Sequence, residues 1–261
     1  MNRELTVTIM AAGEGKRMNS NIPKVLHHFH GVPMLIRILK TIFELRPNKI
    51  IVITGRYHEL IKNTIYLWLY EDAENRGKIT YVKQENPQGT GDAIRCALQD
   101  YDIDQNVLIL NGDMPLIQSN LLEKFIEGEP TKINAKLMVA ELENPYGYGR
   151  ILSDSNGKFV GIREQKDCNN NEAEIRDVNV GVYYFYAGLL KKYIPEITNN
   201  NSQNEYYLTD IVKILTEQTT LEIETFKLFP TQNFMIYGVN TKEELRALED
   251  TYYDGIISTV L

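Results

Sequence analysis

The chain has 261 residues, of which 43% are hydrophobic, enough for one large α/β domain or two small ones. Its net charge of −7 argues against nucleic acid as a partner, because a long polyanion needs a basic face. The sequence shows two distant cysteines, no apolar run of membrane-spanning length and no signal-peptide pattern. These features favour a cytoplasmic protein and exclude a disulfide framework, a zinc site and a membrane span.

The first half of the chain alternates strand-like and helix-like segments. The predicted strands are 5–10, 49–54, 78–83 and 106–110. The predicted helices are 34–45, where apolar residues recur at helical spacing, then 58–70 and 91–99. Such alternation predicts βαβ units, and hence an α/β protein with a Rossmann-like, mixed but mostly parallel sheet flanked by helices.

The second half is richer in strands, which are predicted at 136–142, 149–153, 159–163, 178–186 and 222–228. A helix is predicted at 209–218 and another at 241–253, opened by the capping-box pattern Thr241-Lys-Glu-Glu244. We therefore expect one domain over 1–240, with a first half at 1–115 and a β-rich half at 116–240 that carries substrate-binding strands and loops. A C-terminal helix would occupy 241–261. The sequence shows no hexapeptide periodicity, which is the pattern that would predict a left-handed β-helix.

A glycine-bearing turn follows the first strand and is the most informative segment. Gly13 and Gly15 let backbone N–H groups approach a phosphate, and Arg17 and Lys24 supply positive charge nearby. A dinucleotide fingerprint and a P-loop both fail here, because Met18 replaces the third glycine and no Gly-Lys-Ser/Thr occurs. The turn indicates nucleotide-phosphate chemistry, with an ordinary tight turn as the alternative.

Two further segments should reach the same edge of the sheet, since parallel strands end together there. Residues 84–91 follow the third predicted strand, and Asn111-Gly-Asp113 follows the fourth. A carboxylate at the end of an apolar strand needs a partner. Asp113 is therefore either a magnesium ligand beside phosphates or a capping acid before Pro115.

Further motifs occur in the order found in one known family. They are Met-Ala-Ala-Gly-x-Gly-x-Arg-Met at 10–18, Pro-Lys-Val-Leu at 23–26, Gln-Gly-Thr-Gly at 88–91, Gly-Asp at 112–113, Gly-Tyr-Gly-Arg-Ile at 147–151, Gly-Ile-x-Glu-x-Lys-Asp at 161–167, Asn-x-Gly at 179–181, Glu-Tyr-Tyr-Leu-Thr-Asp at 205–210 and Gly-Val-Asn at 238–240. With them, residues 5–250 resemble the sugar nucleotidyltransferases. The resemblance is to the uridyltransferase domain of bacterial bifunctional N-acetylglucosamine-1-phosphate uridyltransferases, which have the nucleotide-diphospho-sugar transferase fold.

The resemblance implies transfer of UMP from UTP to N-acetylglucosamine 1-phosphate, which releases pyrophosphate. It makes residues 1–240 a nucleotidyltransferase domain, with the nucleotide-binding half at 1–115 and the β-rich, sugar-binding half at 116–240. It assigns Arg17 to the triphosphate and Lys24 to the phosphates flanking the new bond. Asp113 and Asn240 match the family's Mg²⁺ ligands. Alternatives are another sugar 1-phosphate, such as glucose 1-phosphate with UTP or dTTP, and a non-catalytic sugar-nucleotide-binding module.

The resemblance also implies which residues contact the substrates. Uracil should meet the Met10–Gly13 backbone, Gln84, Gly89 and Thr90, with the Gln84 amide offering both a donor and an acceptor. The other expected contacts are Met10, Ala11, Ala12, Gly13, Gly15, Asn111, Gly112, Gly149, Glu164, Lys166, Asn179, Tyr207 and Thr209. Gln84 remains open as a polar strand end, Lys166 as a solvated lysine, and Tyr206 and Tyr207 as core aromatics.

The chain departs from the family in a few places. Lys16 stands where threonine is frequent, and Gln165 where histidine is common. The acetyltransferase β-helix domain of the bifunctional enzymes is not encoded, so we expect a monofunctional monomer or weak dimer. The four histidines at 27, 28, 30 and 58 are interpreted as surface or packing residues, because a phosphate nucleophile needs no base.

Overall fold

The protein is described from a computed structural model that covers residues 4–127 and 135–260, with side chains as far as 252. Its strands are β1 (Leu5–Ala11), β2 (His28–Phe29), β3 (Val32–Pro33), β4 (Lys49–Thr54), β5 (Ile79–Lys83), β6 (Asn106–Asn111), β7 (Ala135–Glu141), β8 (Gly149–Ser153), β9 (Phe159–Arg163), β10 (Asp177–Tyr186) and β11 (Ile223–Lys227). Its helices are α1 (Met34–Glu44), α2 (His58–Trp68), α3 (Ala73–Gly77), α4 (Thr90–Ala97), α5 (Ser119–Ile126), α6 (Asn170–Ala173), α7 (Ala187–Tyr193), α8 (Asp210–Gln218) and α9 (Lys242–Val260). Leu261, the end of the predicted C-terminal segment, lies outside the described residues.

One nine-stranded sheet organises the molecule in the order β11-β7-β10-β6-β1-β4-β5, with β8 paired to β10 and β9 paired to β8. β1 pairs in parallel with both β4 and β6, and β5 adds in parallel to β4. β10 runs antiparallel to β6 and β7. The predicted mixed, Rossmann-like sheet flanked by helices is confirmed.

Apolar side chains on both faces of the central strands form the core. Val7 and Ile9 of β1 belong to one buried cluster together with Ile38 of α1. Ile51 of β4 belongs to a second cluster with Ile94 of α4. Because successive strand residues alternate between faces, the two clusters cover opposite sides of the sheet. Strands buried on both faces read as near-continuous apolar runs, as these do.

The order of the strands places several loops at one edge of the sheet. The chain leaves β1 for β4 and β5 on one side and returns to β6 on the other side. A crevice opens at the carboxyl ends of the strands where the order reverses in this way. β10 is antiparallel to β6, so its first residues reach the same edge. The loops after β1, β5 and β6 and the start of β10 therefore meet there.

The second half does not form a sheet of its own. Its strands β7, β10 and β11 extend the sheet of the first half, and β8 and β9 form an antiparallel pair attached to the start of β10. The β2–β3 hairpin and helices α3, α5, α6 and α7 were not predicted from the sequence. No helix in the described part of the chain is long and apolar enough to cross a membrane.

Candidate active site

The turn after β1 is shaped by close packing against Lys24. Gly15 has φ +65°, and a Cβ at this position would lie 2.7 Å from Cβ of Lys24. A side chain at Gly15 would therefore be strained and would push Lys24 away. Met18 is 1% exposed and anchors the turn in the core. Arg17, beside it, is exposed at the edge of the sheet.

Asp113 follows β6 and is locked against the segment 238–240. The Val239 N–H donates to the Asp113 carbonyl at 3.0 Å. A Cβ on Gly238 would lie 3.4 Å from both Asp113 carboxylate oxygens, so this segment passes very close to the carboxylate. Asp113 Oδ1 is buried and has no hydrogen-bond partner among the described residues. Burying a carboxylate oxygen without a hydrogen-bond partner costs free energy, so this position is a candidate site for a ligand that would pair with it.

Arg17, Lys24, Asp113 and Asn240 meet at this point. The Lys24 ammonium donates to Asp113 Oδ2 and, at 2.9 Å, to Asn240 Oδ1. Arg17 donates to the same Asn240 oxygen at 3.0 Å. The structure thus brings together four side chains that are widely separated in the sequence. Two cations beside a carboxylate and an amide oxygen form a charge arrangement suited to phosphate groups.

The amide of Asn240 is held in one orientation by its neighbours. Its Nδ2 donates to the Gly238 carbonyl at 3.3 Å, which leaves Oδ1 facing the cations. The Asn240 N–H donates to Glu244 Oε2 at 2.6 Å, and the Thr241 hydroxyl accepts the Glu244 N–H at 3.1 Å. Glu244 thus reaches back one residue further than in the predicted capping box. The start of α9 therefore positions a residue of the site as well as capping the helix.

Oxygen atoms of this kind suit a magnesium ion. Asp113 Oδ1 is free to bind, and the Lys24 ammonium already occupies a cation position between Asp113 and Asn240. The described residues contain no group of three or more His, Cys, Asp or Glu side chains placed to hold a metal. A magnesium ion here would therefore depend on Asp113, Asn240 and substrate oxygens, and the residues present fit that arrangement.

A cleft of about 1780 Å³ runs from these residues along the start of β10. It is large enough for a nucleotide sugar. Of the residues predicted to contact substrates or metal, those lining it are Met10, Arg17, Thr90, Asn111, Asp113, Gly149, Glu164, Asn179, Thr209 and Asn240. Lys24 reaches the cleft through its contacts with Asp113 and Asn240.

The half-buried Glu164 and the buried Thr209 form a polar pair in another part of the cleft. The Thr209 hydroxyl donates to Glu164 Oε1 at 2.8 Å. Burial raises the pKa of the Glu164 carboxyl, and the Thr209 hydrogen bond opposes that shift. The nearby carboxylates Asp210, Asp167 and Glu205 raise this pKa further. A Cβ on Gly149 would lie 3.6 Å from Glu164 Oε1, so the Gly149 backbone borders the same space.

Replacing Glu164 with glutamine should stabilise the fold near neutral pH, because the raised pKa of this carboxyl shows that its charged form is disfavoured in the folded protein. The raised pKa of Glu164 contributes stability that is complete below the ordinary value of 4.5 and is lost as pH rises through the folded-state pKa. The glutamine side chain does not ionise, so the variant does not lose this stability as pH rises. The excess of its unfolding free energy over that of the wild type should grow as pH rises through the folded-state pKa of Glu164 and then level off. Denaturant titrations at a series of pH values would measure this difference.

The exposed Glu174 provides the matched control. Because its carboxyl is exposed, Glu174→Gln should give a flat difference in unfolding free energy across the same pH range. A flat difference for Glu164→Gln as well would contradict a penalty from burying this carboxylate.

Asn179 and Asn111 are fitted together at the start of β10. Asn179 Nδ2 donates to the Tyr183 hydroxyl at 2.7 Å, and the Gly181 N–H donates to Asn179 Oδ1 at 3.3 Å. Gly181 has φ +77°, and a Cβ there would lie 2.3 Å from Asn111 Nδ2. The irregular pairing of β10 between Asn179 and Tyr183 accompanies this fit. It brings both amide side chains to the wall of the cleft.

The amide of Gln84 is committed differently from the prediction. Both of its N–H groups are used inside the protein, since Nε2 donates to Asp92 Oδ2 at 2.6 Å and to the Gly89 carbonyl at 3.2 Å. Only an acceptor remains for a ligand, so the predicted donor-plus-acceptor role is corrected. The Thr90 hydroxyl already accepts the Leu208 N–H at 2.9 Å, which ties this loop to the segment before α8.

Other predicted contact residues do not line the cleft: Ala11, Ala12, Gly13, Gly15, Gln84, Gly89, Gly112, Lys166 and Tyr207. Lys166 is an exposed lysine, as its alternative interpretation held. Tyr207 is 6% exposed, and its hydroxyl accepts a hydrogen bond from Gln203 at 2.8 Å. The Tyr206 ring packs under the Arg95 guanidinium at 4.3 Å. Both tyrosines therefore fit the core interpretation rather than a wall around a ligand.

The histidines contribute packing contacts outside the cluster of Arg17, Lys24, Asp113 and Asn240. His58 shares a hydrogen bond of 2.6 Å with the Thr54 hydroxyl. His28 lies edge-on to Trp68, and His30 lies edge-on to Phe29. Burial lowers the pKa of His27, with a further contribution from the Lys242 charge. None of the four lines the cleft in the described structure.

Sequence reasoning assigned no role to two residues that shape the cleft. Arg150 is 1% exposed, and its guanidinium donates to Gln165 Oε1 at 2.8 Å and to the Tyr148 carbonyl. Gln165 also accepts the Gly147 N–H at 2.9 Å, so these residues fix the loop before β8. Tyr148 lines the cleft. Burial and, to a smaller degree, the Asp113 charge raise the pKa of Tyr148 to about 12. Their place within the Gly-Tyr-Gly-Arg motif was the available signal.

A Rossmann-like sheet whose carboxyl edge gathers two cations, a carboxylate and an oriented amide defines a class of enzymes that act on nucleoside triphosphates. The chain belongs to the family of MobA-like NTP transferase domains, which matches residues 7–158.

Relatives cover nearly the whole chain. A protein of Acanthamoeba polyphaga mimivirus, described as a probable UDP-N-acetylglucosamine pyrophosphorylase, is 40% identical over 95% of this chain and 96% of its own length. The bifunctional protein GlmU of Francisella tularensis subsp. novicida is 36% identical over 98% of this chain, which spans 53% of GlmU. A solved UDP-glucose pyrophosphorylase complexed with UDP-glucose superposes with a TM-score of 0.71 at 16% identity, over 97% of this chain and 99% of its own. The first two confirm the resemblance found in the motifs, and the third shows the fold.

Proposed function

We propose that the protein transfers UMP from UTP to N-acetylglucosamine 1-phosphate, giving UDP-N-acetylglucosamine and pyrophosphate. The convergence of Arg17, Lys24, Asp113 and Asn240 at one end of a cleft sized for a nucleotide sugar carries this proposal. The 40% identity to the mimivirus protein over nearly the whole chain supports the choice of uridyl group and sugar.

The reaction requires two anions to approach each other. An oxygen of the sugar phosphate forms a bond to the α-phosphorus of UTP, and the bond from that phosphorus to the bridging oxygen of pyrophosphate breaks in line. Little covalent work falls to the protein, so positioning and charge neutralisation dominate. Arg17 holds the triphosphate and stabilises the negative charge on departing pyrophosphate, and its planar fork suits that role. Lys24 neutralises the phosphates on either side of the new bond.

Asp113 and Asn240 are the residues that would hold a Mg²⁺ ion. Bound there, the ion would supply positive charge between the α-phosphate and the sugar phosphate and so reduce their repulsion. The hydrogen bonds that fix Asn240 through Gly238 and Glu244 support this proposal, because they leave its oxygen facing the cation position that the Lys24 ammonium shares between Asn240 and Asp113.

The rest of the cleft would bind the sugar, and the base would lie beside Thr90, which lines the cleft next to the Gly89 carbonyl that Gln84 contacts. Glu164 accepts hydrogen bonds from sugar hydroxyls, and Asn179 contacts the acetamido region. Gln84 accepts the imide N–H of uracil. No general base is required, because a phosphate monoester is already an oxyanion at neutral pH. This agrees with the packing roles of the histidines.

A panel of substrates tests this proposal. Pyrophosphate release would be measured with UTP, dTTP or CTP against N-acetylglucosamine 1-phosphate or glucose 1-phosphate, with and without Mg²⁺. We expect UTP with N-acetylglucosamine 1-phosphate and Mg²⁺ to give the highest kcat/KM. A preference for glucose 1-phosphate or dTTP would replace the substrate but keep the reaction class. Binding of UDP-N-acetylglucosamine without pyrophosphate release from any pair would show a binding module instead.

A further inference from the structure

The amide of Gln84 is held by two acceptors at once. Gln84 directly follows β5, and its side chain is 3% exposed. Its Nε2 donates to Asp92 Oδ2 at 2.6 Å and to the Gly89 carbonyl at 3.2 Å. A primary amide has two N–H donors, so both are used. Oε1 receives no hydrogen bond from the described residues, and it is not among their fully buried unpaired atoms. The amide therefore keeps one acceptor that is unpaired and not fully buried.

The charge of Asp92 decides which way this amide faces. The oxygen and nitrogen of a glutamine amide have nearly the same shape, so its hydrogen-bond partners set the orientation. A carboxylate can only accept, and so it requires the NH₂ group to face it. Reversing the amide would place Oε1 against the Asp92 carboxylate and against the Gly89 carbonyl, with two repulsive contacts in place of two hydrogen bonds. The reversed orientation is therefore excluded while Asp92 is present.

The surrounding loop keeps both acceptors in place. Gly89 has φ +111°, and a Cβ there would lie 2.5 Å from the Tyr206 carbonyl. The Gly91 N–H donates to the Tyr206 carbonyl at 2.7 Å, and the Tyr206 N–H donates to the Gln88 carbonyl at 2.8 Å. The loop is thus bonded on both sides of Gly89 to the segment before α8. Asp92 lies in the first turn of α4, where the helix dipole favours a carboxylate.

We propose that Asp92 is a specificity-determining positioning residue, which holds the Gln84 amide so that its oxygen faces the base. This inference rests on the proposed function and identifies how that site would select its nucleotide. Uracil carries a ring N–H at N3, which Oε1 accepts. Cytosine carries a lone pair at the same position, which Oε1 repels. A site with a fixed acceptor rejects the wrong base because a buried polar group is then left unpaired.

Removing the carboxylate should relax this selection. In Asp92→Ala, only the 3.2 Å contact with the Gly89 carbonyl still favours the original orientation, so the Gln84 amide can turn over and present NH₂ to the N3 atom of cytosine at the cost of that one contact. In Asp92→Asn, the side chain keeps its shape but can donate as well as accept, so either orientation of Gln84 finds a partner at position 92. We expect the ratio of kcat/KM for UTP to that for CTP to fall about tenfold or more in both variants. For UTP itself, the loss should appear in KM more than in kcat, because the Asp92 carboxylate holds Gln84 and not Arg17 or Lys24.

The experiment measures pyrophosphate release with UTP and with CTP for the wild type, Asp92→Ala and Asp92→Asn at saturating N-acetylglucosamine 1-phosphate and Mg²⁺. Glu85→Gln is the matched control, because it removes a carboxylate from the same loop at a side chain that is 69% exposed and pairs with Lys83. It should keep the wild-type ratio. Thermal unfolding of each variant separates a general loss of folded protein from the change in ratio, since misfolding lowers both rates together.

Failure of this inference and failure of the proposed function have different signatures. If the wild type transfers UMP from UTP and both Asp92 variants keep its UTP-to-CTP ratio, the orienting role is overturned and the reaction stands. If the wild type releases no pyrophosphate, the proposed function falls. Calorimetric Kd values for UTP and CTP then decide about Asp92. A ratio of Kd values that is lost in the variants supports the orienting role, and a ratio that is unchanged or absent in the wild type overturns it.

Discussion

Asp113→Asn should lower kcat by about a hundredfold to a thousandfold while leaving the protein folded. The substitution keeps the shape of the side chain and removes its charge. In the fold, that carboxylate contacts Lys24 through Oδ2 and leaves Oδ1 buried and unpaired within the described structure. An atom left unpaired in this way costs stability, so we propose that Asp113 serves the reaction rather than folding. We therefore expect a large loss of turnover with little change in Tm.

Steady-state pyrophosphate release and thermal unfolding would measure both quantities. Asp102→Asn is the control, because it makes the same chemical change at an exposed position that does not line the cleft. It should leave both kcat and Tm unchanged. Near-normal turnover of Asp113→Asn would remove Asp113 from the reaction and with it the proposed magnesium ligand.

Arg17→Ala should lower kcat by about a hundredfold, because it deletes a charge that acts where pyrophosphate departs. Arg17 is exposed, and its hydrogen bond to Asn240 Oδ1 is on the surface of the cleft. Its loss should therefore leave the free energy of unfolding almost unchanged. Arg17→Lys keeps the charge but not the planar fork, so it should recover only part of the rate.

Lys16→Ala is the matched control for this prediction. Lys16 is the neighbouring cation, its side chain is 87% exposed, and it pairs with Glu14 at 3.4 Å. Because it lies away from Asn240 and Asp113, its removal should leave kcat unchanged. An equal loss of rate in Lys16→Ala and Arg17→Ala would mean that only the general positive charge of the turn matters.

The edge of the sheet that is proposed to bind the nucleotide was predictable, because short stretches of sequence mark it. The residues Gly13–Arg17, Gln84 and Asp113 each follow an apolar run, and the end of such a run shows where a parallel strand ends. The carboxyl ends of parallel strands lie together at one edge of the sheet. Asn240 was different. Nothing local assigns it to this edge, and only the order of the family motifs linked it to Asp113. The hydrogen bonds through Gly238, Val239 and Glu244 are the physical reason that it arrives there.

Other features depend on contacts that no local pattern encodes. The second-half strands were predicted, but their addition to the first-half sheet is set by long-range pairing such as that of Tyr183 with Ile109. Gln84 was predicted to contact the base through both a donor and an acceptor. Its donors are instead used by hydrogen bonds to Asp92 and Gly89, which follow from the geometry of the loop. Tyr207 was placed at the ligand by its motif, whereas burial and its bond to Gln203 place it in the core.

A crystal structure with UDP-N-acetylglucosamine and Mn²⁺, in which anomalous scattering locates the metal, tests the account most directly. We predict a metal peak about 2.1 Å from oxygens of both Asp113 and Asn240, with the diphosphate beside Arg17 and Lys24. Metal and diphosphate bound elsewhere, with these four side chains facing away from them, would contradict the assignment of this edge of the sheet as the reaction centre.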